Sequence, residues 1–237
     1  MHTQNNVNIE LAQLDATLQS ACQRLSEVGI TGTQANTVLS EAAASSPLIV
    51  SAATSDKADI LVAVKPDNYS YIIGDYIGAQ AQQMQVRQTL QPAMSDVIML
   101  VQGFPGVVMA APIFNAQDQF IGVLSFVIQP SALINQSIAS GDGATVFLMW
   151  AMQKNGTLIY DPDPAQQGKN LLTDPIYEDY PEVQAFTRQV AAAQSGYGTY
   201  QYYVKNLDQT QNQVVAKEAY WVTVGIYGTG WRLVVCA

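Results

Sequence analysis

From residue 59 to the C-terminus one order of elements, strand, strand, helix and three strands, is written two times, and few folds accommodate that pattern. In the first copy "DILVAVKP" and "YSYIIGDYIG" read as strands bounded by Pro, Asp and Gly, followed by a helical "AQAQQMQVRQTLQ". Three strands complete it: "DVIMLVQG", "GVVMAAPIFN" and "FIGVLSFVIQP", the last two joined through "NAQDQ" as a hairpin. Residues 131–143 read as a short helix and a Gly-Asp-Gly linker. The second copy opens with "TVFLMWAMQ" and "GTLIYD", turning at Lys154-Asn155-Gly156, where Asn-Gly favours the positive backbone angles of a tight hairpin. "PEVQAFTRQVAAAQSG" is helical with Gly196 as its stop, and "YGTYQYYVKN", "VVAKEAYWVTVGI" and "GWRLVVCA" supply three strands.

Upstream the period is helical. Leu11, Leu14, Leu18, Ala21, Leu25 and Val28 recur at steps of three and four, with Gly29 placed to end the helix. "TQANTVLSEAAASSP" follows and is closed by Pro47, so two helices or one kinked helix precede the first strand signal. The apolar stripe serves either a homodimer through this helix or packing on its own domain. The predicted fold class is α+β: a long N-terminal helix followed by two tandem modules, each a mainly antiparallel curved sheet with flanking helices.

Composition removes several functions. Of 237 residues 49% are hydrophobic and 12% charged, with 19 acidic against 10 basic and a net charge of -9. A real core is expected, and nucleic acid is not a partner, because backbone binding needs clustered Lys and Arg. No apolar run is long enough to span a bilayer, so membrane contact is expected only through a removed anchor. The single histidine is His2, which takes away Ser-His and Cys-His pairs, and no Gly-x-Ser-x-Gly elbow exists. Glu178, Asp179 and Glu182 read as acids complementing a helix start rather than as a glycosidase pair. No catalytic residue, metal or cofactor is expected.

The stretch "GTLIYDPDPAQQGKNLL" offers Asp161 and Asp163 to a metal and Gly168-Lys169 to a phosphate. It lacks the closing Glu of a calcium loop and the leading Gly and hydroxyl of a phosphate loop, so it reads as a turn. That turn is expected to close one edge of a cavity in the second module, within reach of Tyr160. Cys22 and Cys236 match no metal spacing and read either as two buried thiols or as a disulfide. Asn-x-Ser/Thr acceptors at Asn68, Asn135 and Asn155 point outside the cell.

The second-module strings "NGTLIYDPDP", "QGKNL", "SGYGTYQY" and "KEAYWVTVGIYGTGWRLVV", with "IIGDYIG", "GVVMAAPI" and "FIGVLSFVI" in the first, make the chain resemble the double Cache sensor domains. These are two PAS-like modules strung on one long helix. The resemblance implies a non-catalytic, extracytoplasmic small-molecule sensor of a membrane-anchored chemoreceptor or sensor kinase. It divides the chain into a helical region at 1–45, a membrane-distal module at 46–132, a linker at 133–141 and a membrane-proximal module at 142–237. Members that recognise amino acids carry Arg-x-Trp-Tyr before the module helix and an Asp on its last strand. Here the first stretch reads "YIGAQAQQMQVRQ" and the Asp position falls at about Val127, so a small organic acid or other metabolite is expected instead.

The ligand-binding candidates are Tyr69, Tyr71 and Tyr76 before the first module's helix, Arg87 on it, and Phe104, Met109 and Ser125 on strands expected to face the cavity. Secondary candidates in the second module are Tyr160, Tyr177, Tyr203, Lys217 and Trp221. Tyr200 and Tyr202 share one strand face while Tyr203 takes the other, so the three cannot line one cavity. Arg87 and Lys217 either neutralise a carboxylate ligand or are solvated side chains. The resemblance also places Cys22 and Cys236 at the same end, which implies that they pair. The alternative to a sensor is an extracellular binding lipoprotein or adhesion module without signalling output.

Overall fold

In the computed structural model the described residues are 2–140, 148–205 and 212–237, without the side chains of 203–205, 212 and 213. The chain forms two compact units. The N-terminal unit is Val7–Gln136 with the turn Ile226–Thr229, and the C-terminal unit is Ser137–Gly225 with Gly230–Ala237 and the start of the first helix. The Gly-Asp-Gly stretch expected as a linker lies outside the described residues.

Helix α1, His2–Val28, buries Val7, Leu11, Leu14, Leu18, Ala21, Cys22 and Leu25. The three-and-four stripe is therefore consumed within the unit and is not open to a dimer through that face. Gly29, at φ +86°, ends the helix by donating its N–H to the Leu25 carbonyl at 2.8 Å. After α2 (Gly32–Ala44) come β1 (Ile49–Ser55), β2 (Leu61–Lys65), α3 (Ala81–Thr89), β3 (Ala93–Met94), β4 (Ile98–Met99), β5 (Pro105–Phe114) and β6 (Phe120–Ile128). The sheet runs β2-β1-β6-β5-β3, with β4 also on β5. Helix α4, Pro130–Ala139, follows.

The second sheet runs β8-β7-β11-β10-β9. Its strands are β7 (Leu148–Gln153), β8 (Leu158–Tyr160), β9 (Ser195–Lys205), β10 (Asn212–Ile226) and β11 (Thr229–Cys236), and α5 (Pro181–Ala192) lies before β9. With the two-residue β4 left aside and the other strands numbered within each unit, both sheets have the order 2-1-5-4-3. All strand pairs with a described register are antiparallel. The second unit has the expected order of strand, strand, helix and three strands, and the first has the same order with the short β4 added and β1 as its opening strand.

Four details depart from the sequence reading. The first strand is β1, not the run beginning at 59. Five of its residues after Ile49 are Ser, Ala, Ala, Thr and Ser, nearly all of the strand is buried, and so it carries no alternation to find. "YSYIIGDYIG" is no strand: Asp67–Ile72 is a 3₁₀ turn, and only Tyr76 makes a bridge, to Ile60. "DVIMLVQG" keeps only two strand residues, because Gly103 donates to Leu100 and closes a turn. Gly196 does not stop α5. It lies in β9, where a Cβ would fall 2.3 Å from the Trp221 ring, so the glycine is there to let the indole pack flat on the strand.

What ends α5 is Arg232. This buried side chain on β11 donates Nε–H to the carbonyls of Val190 at 3.1 Å and Ala193 at 2.9 Å. A cation at a helix C-terminus complements the dipole. Burial lowers the Arg232 pKa from its usual value, but not its role as a donor.

Candidate functional site

The inner face of the second sheet follows from its register. Trp150 opposes Val234 and Leu148 opposes Cys236, while Tyr200 opposes Lys217, Tyr202 opposes Val215 and Gly196 opposes Trp221. Period-2 alternation therefore puts Trp150, Tyr200, Tyr202, Lys217 and Trp221 on one side. Phe186 of α5 drops into the middle of it. Its ring stacks on Tyr200 with centroids 4.7 Å apart and meets Trp150 and Trp221 edge-on at 6.4 and 5.6 Å. Each such pair contributes roughly 0.5–1.5 kcal/mol beyond area burial, which makes the aromatic floor rigid.

The polar atoms of that floor are occupied. Trp150 Nε1–H donates to Cys236 Sγ at 3.3 Å, the Tyr200 hydroxyl meets the same sulfur at 3.5 Å, and Trp221 Nε1–H donates to the Ala193 carbonyl. Burial and the neighbouring thiol push the Tyr200 pKa upward, so it stays a neutral phenol. What the floor offers a visitor is ring surface.

Above it opens a cavity of 610 Å³. Trp150, Phe186, Tyr200 and Tyr202 form its base, with Val183 of α5 and Leu171 at the side. The remaining wall comes from 161–180, where Asp161, Gln166, Lys169, Tyr177 and Tyr180 face the space. Two 3₁₀ turns, each opened by Asp-Pro, hold this wall in place. Asp163 accepts from the Ala165 N–H and Asp174 from the Ile176 N–H. Asp161 accepts from the Asp163 N–H at 2.9 Å, and the Tyr177 hydroxyl donates to Gln166 Oε1 at 2.6 Å. Burial, opposed by the Asp163 N–H, raises the Asp161 pKa from 3.8. Burial first, then Asp161, Asp174 and Asp163, push Tyr177 up to about 12. The volume is that of an ordinary small-ligand site.

The N-terminal unit has nothing comparable on its inner face. There Ala53, Leu61, Ile72, Leu100, Val108 and Val127 close around a void of only 30 Å³, about the share of one water. The candidates of that unit scatter accordingly. Ser125 and Val127 line the void. Tyr69 and Phe104 pack on each other with ring centroids 6.5 Å apart. Tyr71 and Tyr76 are exposed, and Tyr71 donates to the Gln102 carbonyl at 3.2 Å. Met109 faces the other way: it pairs with Phe126 and Met94, whereas the void is on the side of Val108, Ser125 and Val127. Arg87 is engaged by Asp59, which is 1% exposed and also accepts from Gln83 Nε2 at 3.0 Å. The carboxylate Arg87 was expected to find on a ligand is supplied by the chain itself.

A depression of 600 Å³ on the α1 side of this unit has Gln19, Gln23, Glu27, Asn115 and Asp118 on its walls, without converging groups. In the C-terminal unit Tyr177 lines the cavity, Tyr160 and Trp221 are buried off its wall, and Lys217 is half-buried on the inner face beside Tyr200. The Tyr203 side chain lies outside the described residues. Both cysteines are free thiols, contrary to the expected pair: Cys22 is buried on α1, and Cys236 is held by Trp150 and Tyr200. The sequence reading missed Trp150, Phe186 and Asp161 as wall residues. The shared strand face of Tyr200 and Tyr202 is the sequence signal that points to this wall. Among the described residues no cluster of His, Cys, Asp or Glu suits a metal, and no helix is long and apolar enough to cross a membrane.

A long first helix followed in the chain by two antiparallel sheets of corresponding strand order, one of them cupping an aromatic hollow, is the architecture of the tandem-module sensor domains. The chain belongs to the HK/GC/Chemotaxis protein-like sensor domain family, whose model matches residues 9–130. Among solved structures it is similar to an extracellular ligand binding receptor from Desulfohalobium retbaense, with 26% identity and a TM-score of 0.82. That match covers 99% of this chain but 38% of the receptor, so the chain spans well under half of that relative's length. The ligand-binding domain of the Pseudomonas fluorescens chemoreceptor CtaA matches at 14% identity and TM-score 0.68, over 99% of this chain and 87% of that one. The periplasmic sensory domain of Campylobacter jejuni Tlp1 matches at 14% and 0.62, over 99% and 89%. These two show the shared fold. No curated protein matches the sequence.

Proposed function

We propose that this sensor domain lies on the extracytoplasmic side of a membrane-anchored receptor, has no chemistry of its own, and binds its small-molecule ligand in the C-terminal unit. One observation carries the reading: of two inner faces built alike, the C-terminal one holds a 610 Å³ cavity and the N-terminal one a 30 Å³ void. Absence of catalysis is supported by the wall chemistry. Among the described residues Asp161 is the one carboxylate on it, and no histidine, cysteine or hydroxyl nucleophile paired with a base faces the space. The structures of CtaA with L-isoleucine and L-serine make amino acids natural members of a ligand panel, alongside amines and organic acids. Output would follow from differential affinity, the ligand favouring one of two arrangements of the receptor.

The test is a thermal-shift screen of the wild-type domain and of Val183→Trp, which fills the cavity from α5. A ligand at a hundred times its dissociation constant stabilises by about 2.7 kcal/mol, a readily measured shift. The shift is expected to vanish in Val183→Trp. A ligand whose shift survives that change but is lost in Ser125→Leu would move the site to the N-terminal unit.

A further inference from the structure

We infer that the cavity of the C-terminal unit takes an organic cation, a small amine with an apolar body, its ammonium set between Asp161 and Tyr177 and its body on the aromatic floor. This rests on reading that cavity as the ligand site. Three independent features point to a positive guest. The first is the floor. With Trp150 Nε1–H and the Tyr200 hydroxyl both spent on Cys236, the base presents π faces, which attract cations and repel carboxylates.

The second is the sense of the polar wall. The Tyr177 hydroxyl gives its proton to Gln166 Oε1, and the Gln166 amide donates to Asp163, so the Tyr177 oxygen is left with lone pairs for the ligand. Asp161 has one N–H contact, from Asp163, and among the described residues it forms no ion pair. Lys169, the cation on the wall, forms no ion pair with it among the described residues. An anion entering this wall would find Lys169 but would also meet the Asp161 carboxylate and the Tyr177 lone pairs. An ammonium would meet partners for its donors.

The third is the difference between the two units. Asp59 in the N-terminal unit is fully buried, and Arg87 and Gln83 of α3 already engage it. Asp161 has no such ion pair among the described residues, and the ligand is what completes it.

The experiment is calorimetric titration with 2-phenylethylamine and isobutylamine against 3-phenylpropionate and isovalerate, for wild type, Asp161→Asn and Val183→Trp. Asn keeps the acceptor for the Asp163 N–H, so the turn survives while the charge is removed. Expected are binding of the amines only, at least a tenfold loss in Asp161→Asn with an unchanged melting temperature, and no binding in Val183→Trp. If the acids bind as well as the amines, or Asp161→Asn is indifferent, the cation assignment is wrong while the cavity reading stands on Val183→Trp. If the amines bind equally to Val183→Trp, both are wrong. If neither class binds the wild type, the cation assignment is overturned.

Discussion

The two units share a strand order and differ in what covers the inner face. In the N-terminal unit the cover is aliphatic and near. Ile72, Ile77, Leu100 and Val101 fold onto the sheet beside Leu61 of β2, Gln102 ties to Ser51, and Asp59 is bound by Gln83 and Arg87 of α3. In the C-terminal unit the corresponding cover, 161–180, is stiffened by two Asp-Pro turns and held back from an aromatic floor. The lesson is that the strand order alone leaves open whether a module is a receptor or a brace. A carboxylate paired with its own arginine belongs to a finished core, and one left unpaired beside ring faces belongs to an unfinished one.

The sharpest way to break that comparison is to remove each carboxylate in turn. Asp59→Ala leaves Gln83 and Arg87 without their acceptor; the aspartate is buried while Arg87 is half-exposed, which sets the loss at about 2–3 kcal/mol. Urea denaturation is expected to show this loss with ligand affinity in the C-terminal unit unchanged. Asp161→Asn is expected to do the opposite, with stability altered by less than about 0.5 kcal/mol and affinity lost. Should both variants lose stability alike, the contrast between finished and unfinished interiors fails.

A smaller effect sharpens the same contrast. Ser125→Leu adds two heavy atoms beside a void of 30 Å³, so the N-terminal unit is overpacked and loses about 1–3 kcal/mol. A module with a true cavity at that position would accept the leucine or gain stability from it, and a rise in the urea midpoint would put a ligand-sized space back into the first unit.

Much of this architecture was legible because helices and half-buried strands print their periods in the sequence. The α1 stripe, the Asn155-Gly156 hairpin and the doubled element order are all of that kind. β1 was not legible, since a strand buried on both sides and built of Ala, Ser and Thr has no period to show. The site was harder for a different reason. Arg87 looked like a ligand contact because charge is scarce, yet its partner Asp59 is 28 residues away in sequence and only the fold joins them. Conversely Asp161, read as part of a turn, is in one, accepting from the Asp163 N–H, and lines the cavity as well. A local motif states what a residue does to its own backbone. It does not state which way the loop faces.

The smallest expected effect is a pH dependence specific to the C-terminal unit. Asp161 has a folded pKa above its ordinary 3.8, because burial disfavours the charged form. Between 3.8 and the raised value the folded protein retains a proton that the unfolded chain has released, so this group makes stability fall as pH rises through that window. Asp161→Asn removes the contribution, and the difference between wild-type and variant stability, followed by urea denaturation across the acid range, isolates it. The group is half-buried, so solvent screening keeps the difference small. A bound amine reverses the sign: its ammonium favours the carboxylate, so affinity strengthens as pH rises through the same window and the complex releases a proton on forming. Calorimetry in buffers of different ionisation enthalpy reads that proton directly. Uptake of a proton on binding, in place of release, would mean that the guest is an anion and that the second module is completed from the other side of the charge scale.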